Sequence, residues 1–403
     1  MTMARPAYER FRNVLELLVK DEKILLNDQP RYVTFRYGGL EHALFDRNGH
    51  PSLFQLMKTA VIVRSIGLFC SCEGEISSMI DFSDLLNQTG STIFVAVTDF
   101  EMSRDMYNRF LVKAPLDARV SLGHVGNGSI TMQIELFLPG NPQAIMTHKK
   151  KVVLVNPDTR KPMPLPEWYK QKFAGKGVLE GIPFRIEKFQ RPAKTFFRRS
   201  EITWSDTDSN NHTNYASYSR LATDAIHTCL FLKTKAEKER MRAMDQSDQH
   251  LSLSVNQTSE VSDSRSRDHT PSGQQTTNVS DQRTNPTRSE CKSMAVSGDH
   301  ARDSAESGQQ NVAAVSSVVP ESVQLWGGDI SALGCLSEKD VVRGLKRVEV
   351  SYLQECGEGD VVETHVWQEP GVRGRLKCSV EGMGGGEVLC QITLEYHEPL
   401  SGL

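Results

Sequence analysis

Trp204-Ser-Asp-Thr-Asp-Ser-Asn-Asn-His212 follows an aromatic-rich run, Phe196 to Trp204, and precedes a stretch from Tyr215 to Leu232 in which Tyr215, Tyr218, Leu221, Ala222 and Ala225 share one helical face. An earlier segment repeats this order. A strand-like run, Tyr32 to Tyr37, leads to the polar loop Asp46-Arg-Asn-Gly-His50 and then to Ser52-Leu-Phe-Gln-Leu-Met57, whose apolar residues have helical spacing. Asp208, Asn210 and His212 stand 162 residues after Asp46, Asn48 and His50, so one offset aligns three residues of matching type. The chain therefore carries an internal repeat.

Downstream of each helical segment come antiparallel-strand signals with Gly-rich turns, Gly126-Asn-Gly128 and Pro139-Gly-Asn-Pro142 in the first copy, Pro370-Gly371 and Gly382 to Gly386 in the second. These align at an offset of 243 residues, which sets Asp117 on Asp360. The two offsets differ by 81 residues, about the length of a Ser-, Thr-, Gln-, Asn-, Asp- and Arg-rich segment from Lys233 to Val319. Having almost no aromatic or β-branched clusters to bury, that segment, Thr270 to Asn285 included, is expected to be disordered. It reads as an inert linker or as a phosphorylatable regulatory tether.

The expected organisation is an N-terminal helical extension over residues 1–28, a first domain over 29–170, a linker over 171–191, and a second domain over 192–398 interrupted at about 233–320. One helix followed by several antiparallel strands, repeated, implies an α+β fold in which each sheet wraps a central helix. The two sheets would join edge to edge as a single-chain pseudo-dimer.

Composition narrows the function classes. Hydrophobic content of 38% with 24% charged residues is that of a globular chain, and a net charge of −3, from 47 basic and 50 acidic residues, offers no footprint for a nucleic acid partner. The eight cysteines are scattered without a C-x-x-C pair and read as reduced thiols. The apolar runs Val14 to Val19 and Ala60 to Phe69 are short and broken by Glu16 and Arg64, so no membrane span or signal peptide is expected. No cofactor or metal is called for. Asp206, Asp208 and Asn210 do occupy the first three ligand positions of a helix-loop-helix calcium motif, but Asn211 and Ser217 replace its required Gly and Glu.

Alternation along an extended loop would send Asp208, Asn210 and His212 to one side. The free N–H groups of the following helix could polarise a carbonyl oxygen there. Asp, Asn and His are equally the residues of ordinary turns and N-caps, so spacing alone leaves both readings open.

The run Trp204-x-Asp-x-Asp-x-Asn-x-His-x-Asn214, with Tyr218 on the following helix, resembles the catalytic segment of plant-type acyl-acyl-carrier-protein thioesterases of the hotdog-fold thioesterase superfamily. Glu349-Val-Ser-Tyr-Leu-Gln-Glu-Cys356 resembles the same family's second signature, a strand ending in Tyr-x-x-Glu-Cys. The resemblance covers roughly Arg31 to Tyr169, weakly, and Phe196 to Glu398, well. It implies two tandem hotdog domains and hydrolysis of fatty acyl thioesters, with acyl-CoA or acyl-carrier protein as partner.

By the same resemblance Asp208, Asn210, His212 and Glu355 match catalytic positions. Glu355 would activate water, directly or with His212; Asp208 would orient Asn210; Asn210 and His212 would position the thioester or the water. Cys356 is an alternative nucleophile, in a Cys-His-Asn arrangement, although neighbours on a strand face opposite ways. The 243 offset puts Val112 at the place of Glu355 and Lys113 at that of Cys356, so Asp46, Asn48 and His50 are expected to form a degenerate site, in a half that shapes an acyl pocket and supports the pseudo-dimer, the alternative being a second catalytic centre. A non-catalytic acyl-binding module and an enoyl-thioester hydratase are the competing functions. Met1 to Leu26, with several acidic residues and little Ser or Thr, unlike a plastid transit peptide, favours a cytoplasmic setting and a CoA ester.

Overall fold

The computed structural model describes residues 5–19, 22–40, 44–73, 78–182, 184–208, 212–259, 325–383 and 386–399. The chain forms two compact units, one of Met1–Met241 with Gln324–Leu403 and one of Arg242–Val323. Of the second unit the described part is helix.

All the described strands belong to the first unit. Its first part contributes β1 (Leu25–Asp28), β2 (Arg31–Tyr37), β3 (Thr92–Met102), β4 (Leu116–Val125), β5 (Ser129–Phe137) and β6 (Ala144–Val155). The later part contributes β7 (Phe196–Glu201), β8 (Trp326–Gly328), β9 (Leu345–Tyr352), β10 (Val361–Gln368), β11 (Arg375–Gly382) and β12 (Val388–Tyr396). They make one 12-stranded sheet in the order β1-β2-β4-β5-β6-β3-β9-β12-β11-β10-β7-β8, antiparallel throughout. The order of neighbours leading away from the β3–β9 seam is matched on its two sides, apart from the short outermost strands.

At that seam Asp99 lies opposite Glu349. Two facing carboxylates repel, and Asp99 is buried. Arg347 offsets this with a bidentate pair, Nε to Oδ1 at 2.9 Å and Nη2 to Oδ2 at 3.0 Å, and Lys149 adds contacts of 3.7 Å to Asp99 and 3.3 Å to Glu101.

Helix α1 (Arg5–Leu18) falls in the expected N-terminal extension. Helix α2 (Leu53–Phe69) starts at Ser52, whose hydroxyl accepts from Gln55 N at 3.3 Å. It buries Leu53, Leu56, Met57, Ala60, Val63, Ile66 and Leu68, an apolar surface running most of the way around, as suits a helix wrapped by a sheet. Gly67 lets it lie close to β4, because a Cβ there would come within 2.9 Å of Val120. Shorter helices α3 (Phe82–Thr89) and α4 (Glu167–Phe173) follow.

Helix α5 (Ser217–Ser259) buries Tyr218, Leu221, Ala222 and Ala225 of the helical face expected from the sequence, together with Ile226 and Cys229, while Tyr215 precedes the helix. It also corrects the expectation of disorder from Lys233 onward, since it remains helical to Ser259. Lys233 to Met244 is made largely of Ala, Lys, Glu, Arg and Met, poor core formers but strong helix formers. The rest of the expected insertion lies outside the described residues. Helix α6 (Glu338–Val341) completes the set, and among the described residues no helix is long and apolar enough to cross a membrane.

Candidate active site

The loop before α5 is pinned at both ends. Asp206 is buried and closes a capping box with Thr203, while its other oxygen pairs with Arg220 from the first turns of α5. Burial pushes the Asp206 carboxyl up, but hydrogen bonds from Thr203 and Arg220 outweigh this and hold it below its ordinary value. Asp208 N donates to His212 O at 2.8 Å, and Thr207 forms an antiparallel bridge with Thr213. The two ends of the loop are thus paired with each other, where alternation predicts one extended run. Asp208 and His212 face each other across it, and Asn210 lies outside the described residues.

The helix start also differs from expectation. Asn214 Oδ1 accepts from Ala216 N at 2.9 Å, Asn214 O accepts from Ser217 N at 2.8 Å, and Ala216 O accepts from Ser219 N at 3.0 Å. These N–H groups are engaged by the local turn and are not free for a ligand.

The second motif meets the first directly. β9 ends at Tyr352, so Glu355 and Cys356 lie just past the strand. Cys356 O accepts from Thr213 N at 2.8 Å and from Thr213 Oγ1 at 2.9 Å, and Tyr352 OH donates to Tyr215 O at 3.2 Å. Glu355 and Cys356 still diverge. Glu355 lines a pocket of about 70 Å³ with Asp208, His212, Thr213, Tyr215, Tyr218, Tyr352 and Gln354. Cys356 is buried behind it, its Sγ 3.0 Å from Thr213 Oγ1 and 3.2 Å from Tyr218 OH. Burial pushes its thiol up despite those two hydrogen bonds, which disfavours the thiolate a nucleophile needs.

The first part of the chain supplies the rest of the pocket wall: Thr92 to Val95 at the start of β3, and Arg160. Sequence reasoning missed Arg160. Its Nη2 lies 2.6 Å from Glu355 Oε2 and 2.8 and 2.7 Å from His212 Nδ1 and Nε2, while His212 Nε2 is 3.5 Å from Glu355 Oε2.

Arg160 adopts φ 56°, the left-handed region that glycine and asparagine usually fill. The turn before it is set by Asn156, whose Oδ1 accepts from Asp158 N and Thr159 N at 3.0 and 2.8 Å. In sequence, Asn156-Pro-Asp-Thr-Arg160 carries the signal of a turn and nothing that marks its last residue.

The earlier loop copies the later one. Asp46 N donates to His50 O at 2.7 Å and Phe45 bridges Pro51, the same two contacts displaced by 162 residues. Asp46 Oδ1 accepts from the backbone N–H groups of Asn48 and His50 at 2.8 and 3.0 Å, and the His50 ring packs edge-on to Tyr107 at 5.1 Å. Burial, with a smaller contribution from Lys113, holds His50 below its ordinary pKa against the pull of Asp46. Asp46, Asn48 and His50 line a separate pocket of about 840 Å³ with Tyr107 and the α5 face around Asp224 and His227. Val112, which the 243 offset puts at the place of Glu355, is exposed and does not line this pocket.

The fold is shared with a protein from Lactobacillus plantarum described as an oleoyl thioesterase, at a TM-score of 0.51 and 11% identity over 92% of this chain and 97% of that one. A 12:0-acyl-carrier-protein thioesterase from Umbellularia californica aligns with a TM-score of 0.47 and 10% identity over 91% of this chain and 97% of that one. An acyl-carrier-protein thioesterase from Bacteroides thetaiotaomicron aligns with a TM-score of 0.46 and 12% identity over 91% of this chain and 98% of that one. No protein-family model and no curated protein matches the sequence.

Proposed function

We propose that this chain is a thioesterase that hydrolyses fatty acyl thioesters, on CoA or on an acyl-carrier protein, to the free acid and thiol. The observation that carries the reading is one small pocket that gathers Asp208, His212 and Glu355 from two motifs about 140 residues apart, tied to each other through Thr213 and Cys356. Hydrolysis needs a base for water and donors for the tetrahedral oxyanion. Glu355 takes the proton of the attacking water, directly or through His212. Asn210 and His212 position the reactants, and Arg160 supplies donors and positive charge beside them.

The tandem arrangement fits the same reading. We take the two parts of the sheet as hotdog domains paired across β3 and β9 in a single-chain pseudo-dimer, with the site completed by Arg160 and the β3 residues of the first. The loop of Asp46, Asn48 and His50 keeps the backbone geometry of its counterpart but meets Tyr107 where the later loop meets Glu355, which supports a degenerate site.

A second reading is an acyl-thioester binder without turnover, favoured by the contacts through which Arg160 already engages both His212 and Glu355. Thiol release from long-chain acyl-CoA and acyl-carrier-protein esters separates the two. The enzyme reading expects release that falls by about two orders of magnitude or more in Glu355→Ala and His212→Ala and persists in Cys356→Ser. Binding of the ester with no thiol released would overturn it.

A further inference from the structure

The large pocket beside the Asp46 to His50 loop takes no part in the proposed hydrolysis. At about 840 Å³ it falls in the size range of cavities that hold small molecules, roughly 300–1,000 Å³, whereas the pocket at His212 and Glu355, about 70 Å³, lies below it. The two stand at opposite ends of the seam. β3 begins at the catalytic pocket with Thr92 and leads to Tyr107 in the wall of the large one, while β9 begins at the large pocket with Leu345 and ends at the catalytic one with Tyr352. From Leu345 to Tyr352 the strand spans roughly 23 Å.

Much of the lining of the large pocket is apolar. Leu53, Leu394 and Tyr396 in it are buried, while Phe231 and Trp326 are 64% and 43% exposed, large apolar surface that a ligand in the pocket would cover. The charged groups balance, Arg47, Arg198 and Arg220 against Asp46, Asp224 and Glu338, and Asp224 lies 3.2 and 3.4 Å from Arg198 and Arg220. That balance suits an uncharged polar group better than an anion. His50 and His227 can serve such a group: burial holds both below the ordinary pKa, so each is neutral at pH 7 and keeps one N–H to donate. A neighbouring cavity of about 600 Å³ shares Phe54, Arg198 and Arg220 with the first and differs in charge. Arg199 and Lys58, whose ammonium sits 4.5 Å from the centre of the Phe54 ring, bring its basic residues to four, against Glu201 and Asp206. Such an excess suits a phosphate.

We propose that the large pocket binds a second molecule of long-chain acyl thioester and does not cleave it. The acyl chain covers the apolar lining, His50 and His227 donate to the thioester carbonyl, and the phosphate of the pantetheine arm, on CoA or on a carrier protein, lies toward Lys58 and Arg199. The inference rests on the reading of this chain as one that takes acyl thioesters, and it adds a site. The loop that carries His50 closes with the same backbone contacts as the loop that carries His212, so the two cavities start from one frame. Cleavage is not expected, because Tyr107 packs on His50 at 5.1 Å where Glu355 stands 3.5 Å from His212, and Asp46 is engaged by the backbone of its own loop.

The test is calorimetric titration of the full chain with a ketone analogue of a long-chain acyl thioester, in which a methylene between carbonyl and sulfur prevents cleavage. It is run with the analogue on CoA and on an acyl-carrier protein, and two molecules bound per chain with either carrier support the inference. The double variant Thr228→Trp with Val341→Trp, which fills the large pocket from α5 and α6, should bind one molecule and keep kcat/KM for thiol release within about twofold of wild type. In the unaltered chain, an analogue with a diazirine at the end of its acyl chain should cross-link to Phe54, Phe231 or Leu345 as well as to the catalytic pocket. One molecule bound with both carriers, or cross-links confined to the catalytic pocket, overturns the inference and leaves the thioesterase reading standing. Turnover at about half the wild-type rate in Glu355→Ala would show the large pocket to be catalytic and overturn it as well. If no ester is cleaved, the thioesterase reading fails, and the binding count and the cross-links still decide whether the second site exists.

Discussion

Replacing Arg160 by glycine should leave the protein more stable than replacing it by alanine, with the same loss of activity, and the difference can be sized from one dihedral angle. At φ 56° a side chain bearing a Cβ is disfavoured by roughly 1–2 kcal/mol. Glycine removes that strain but frees the unfolded chain, at a cost of about 0.4–1 kcal/mol. The contacts of the guanidinium with Glu355 and His212 are lost equally in both variants and cancel in the comparison. Arg160→Gly should therefore exceed Arg160→Ala in stability by about 0.5–1 kcal/mol, a Tm difference of roughly 1–3 °C. Both should lose about tenfold to hundredfold in kcat/KM, since the donor at the pocket is gone from each. Differential scanning calorimetry and thiol-release kinetics on the same preparations give both quantities. A glycine variant no more stable than the alanine variant would refute the strain argument, and wild-type kinetics in either would remove Arg160 from the site.

Arg347→Met strips buried Asp99 of its bidentate partner and leaves it facing Glu349, with Lys149 3.7 Å away as partial compensation; denaturant unfolding should register a loss of about 2 kcal/mol, part of it recovered when Asp99→Asn is added. Asp206, held below its ordinary pKa when folded, adds stability that is present above its unfolded value near 3.9 and is lost as pH falls through the folded one. Asp206→Asn should thus be less stable than wild type by about 1 kcal/mol at pH 7, with the gap closing below about pH 4 in unfolding curves taken across that range. In alkylation followed by mass spectrometry, exposed Cys335 should react first among the described cysteines, and Cys356, buried with its thiol pushed up, should remain unmodified while the chain is folded.

The repeat was legible in the sequence because turn-forming loops conserve residue spacing: Asp46 to His50 and Asp208 to His212 close with the same backbone contacts, as one constant offset indicates. The meeting of His212 with Glu355 was legible through two motifs, although neither spacing nor periodicity could bring residues so far apart together. Two things were not. The helix beyond Lys233 was hidden because a sequence can be too polar for a core and still favour helix. Arg160 escaped because a left-handed arginine looks, as a letter, like any other residue at the end of a turn.

The charges on the seam also decide which strands can recognise each other. β3 presents Asp99 and Glu101, and β9 presents Arg347 beside Glu349, so the pairing is complementary only when one meets the other. Two copies of β3 in that register would bring Asp99 against Asp99 with no Arg347 to bridge them. Such a seam works as a lock and key between unlike partners: it disfavours each part assembling with itself and leaves the two parts free to diverge.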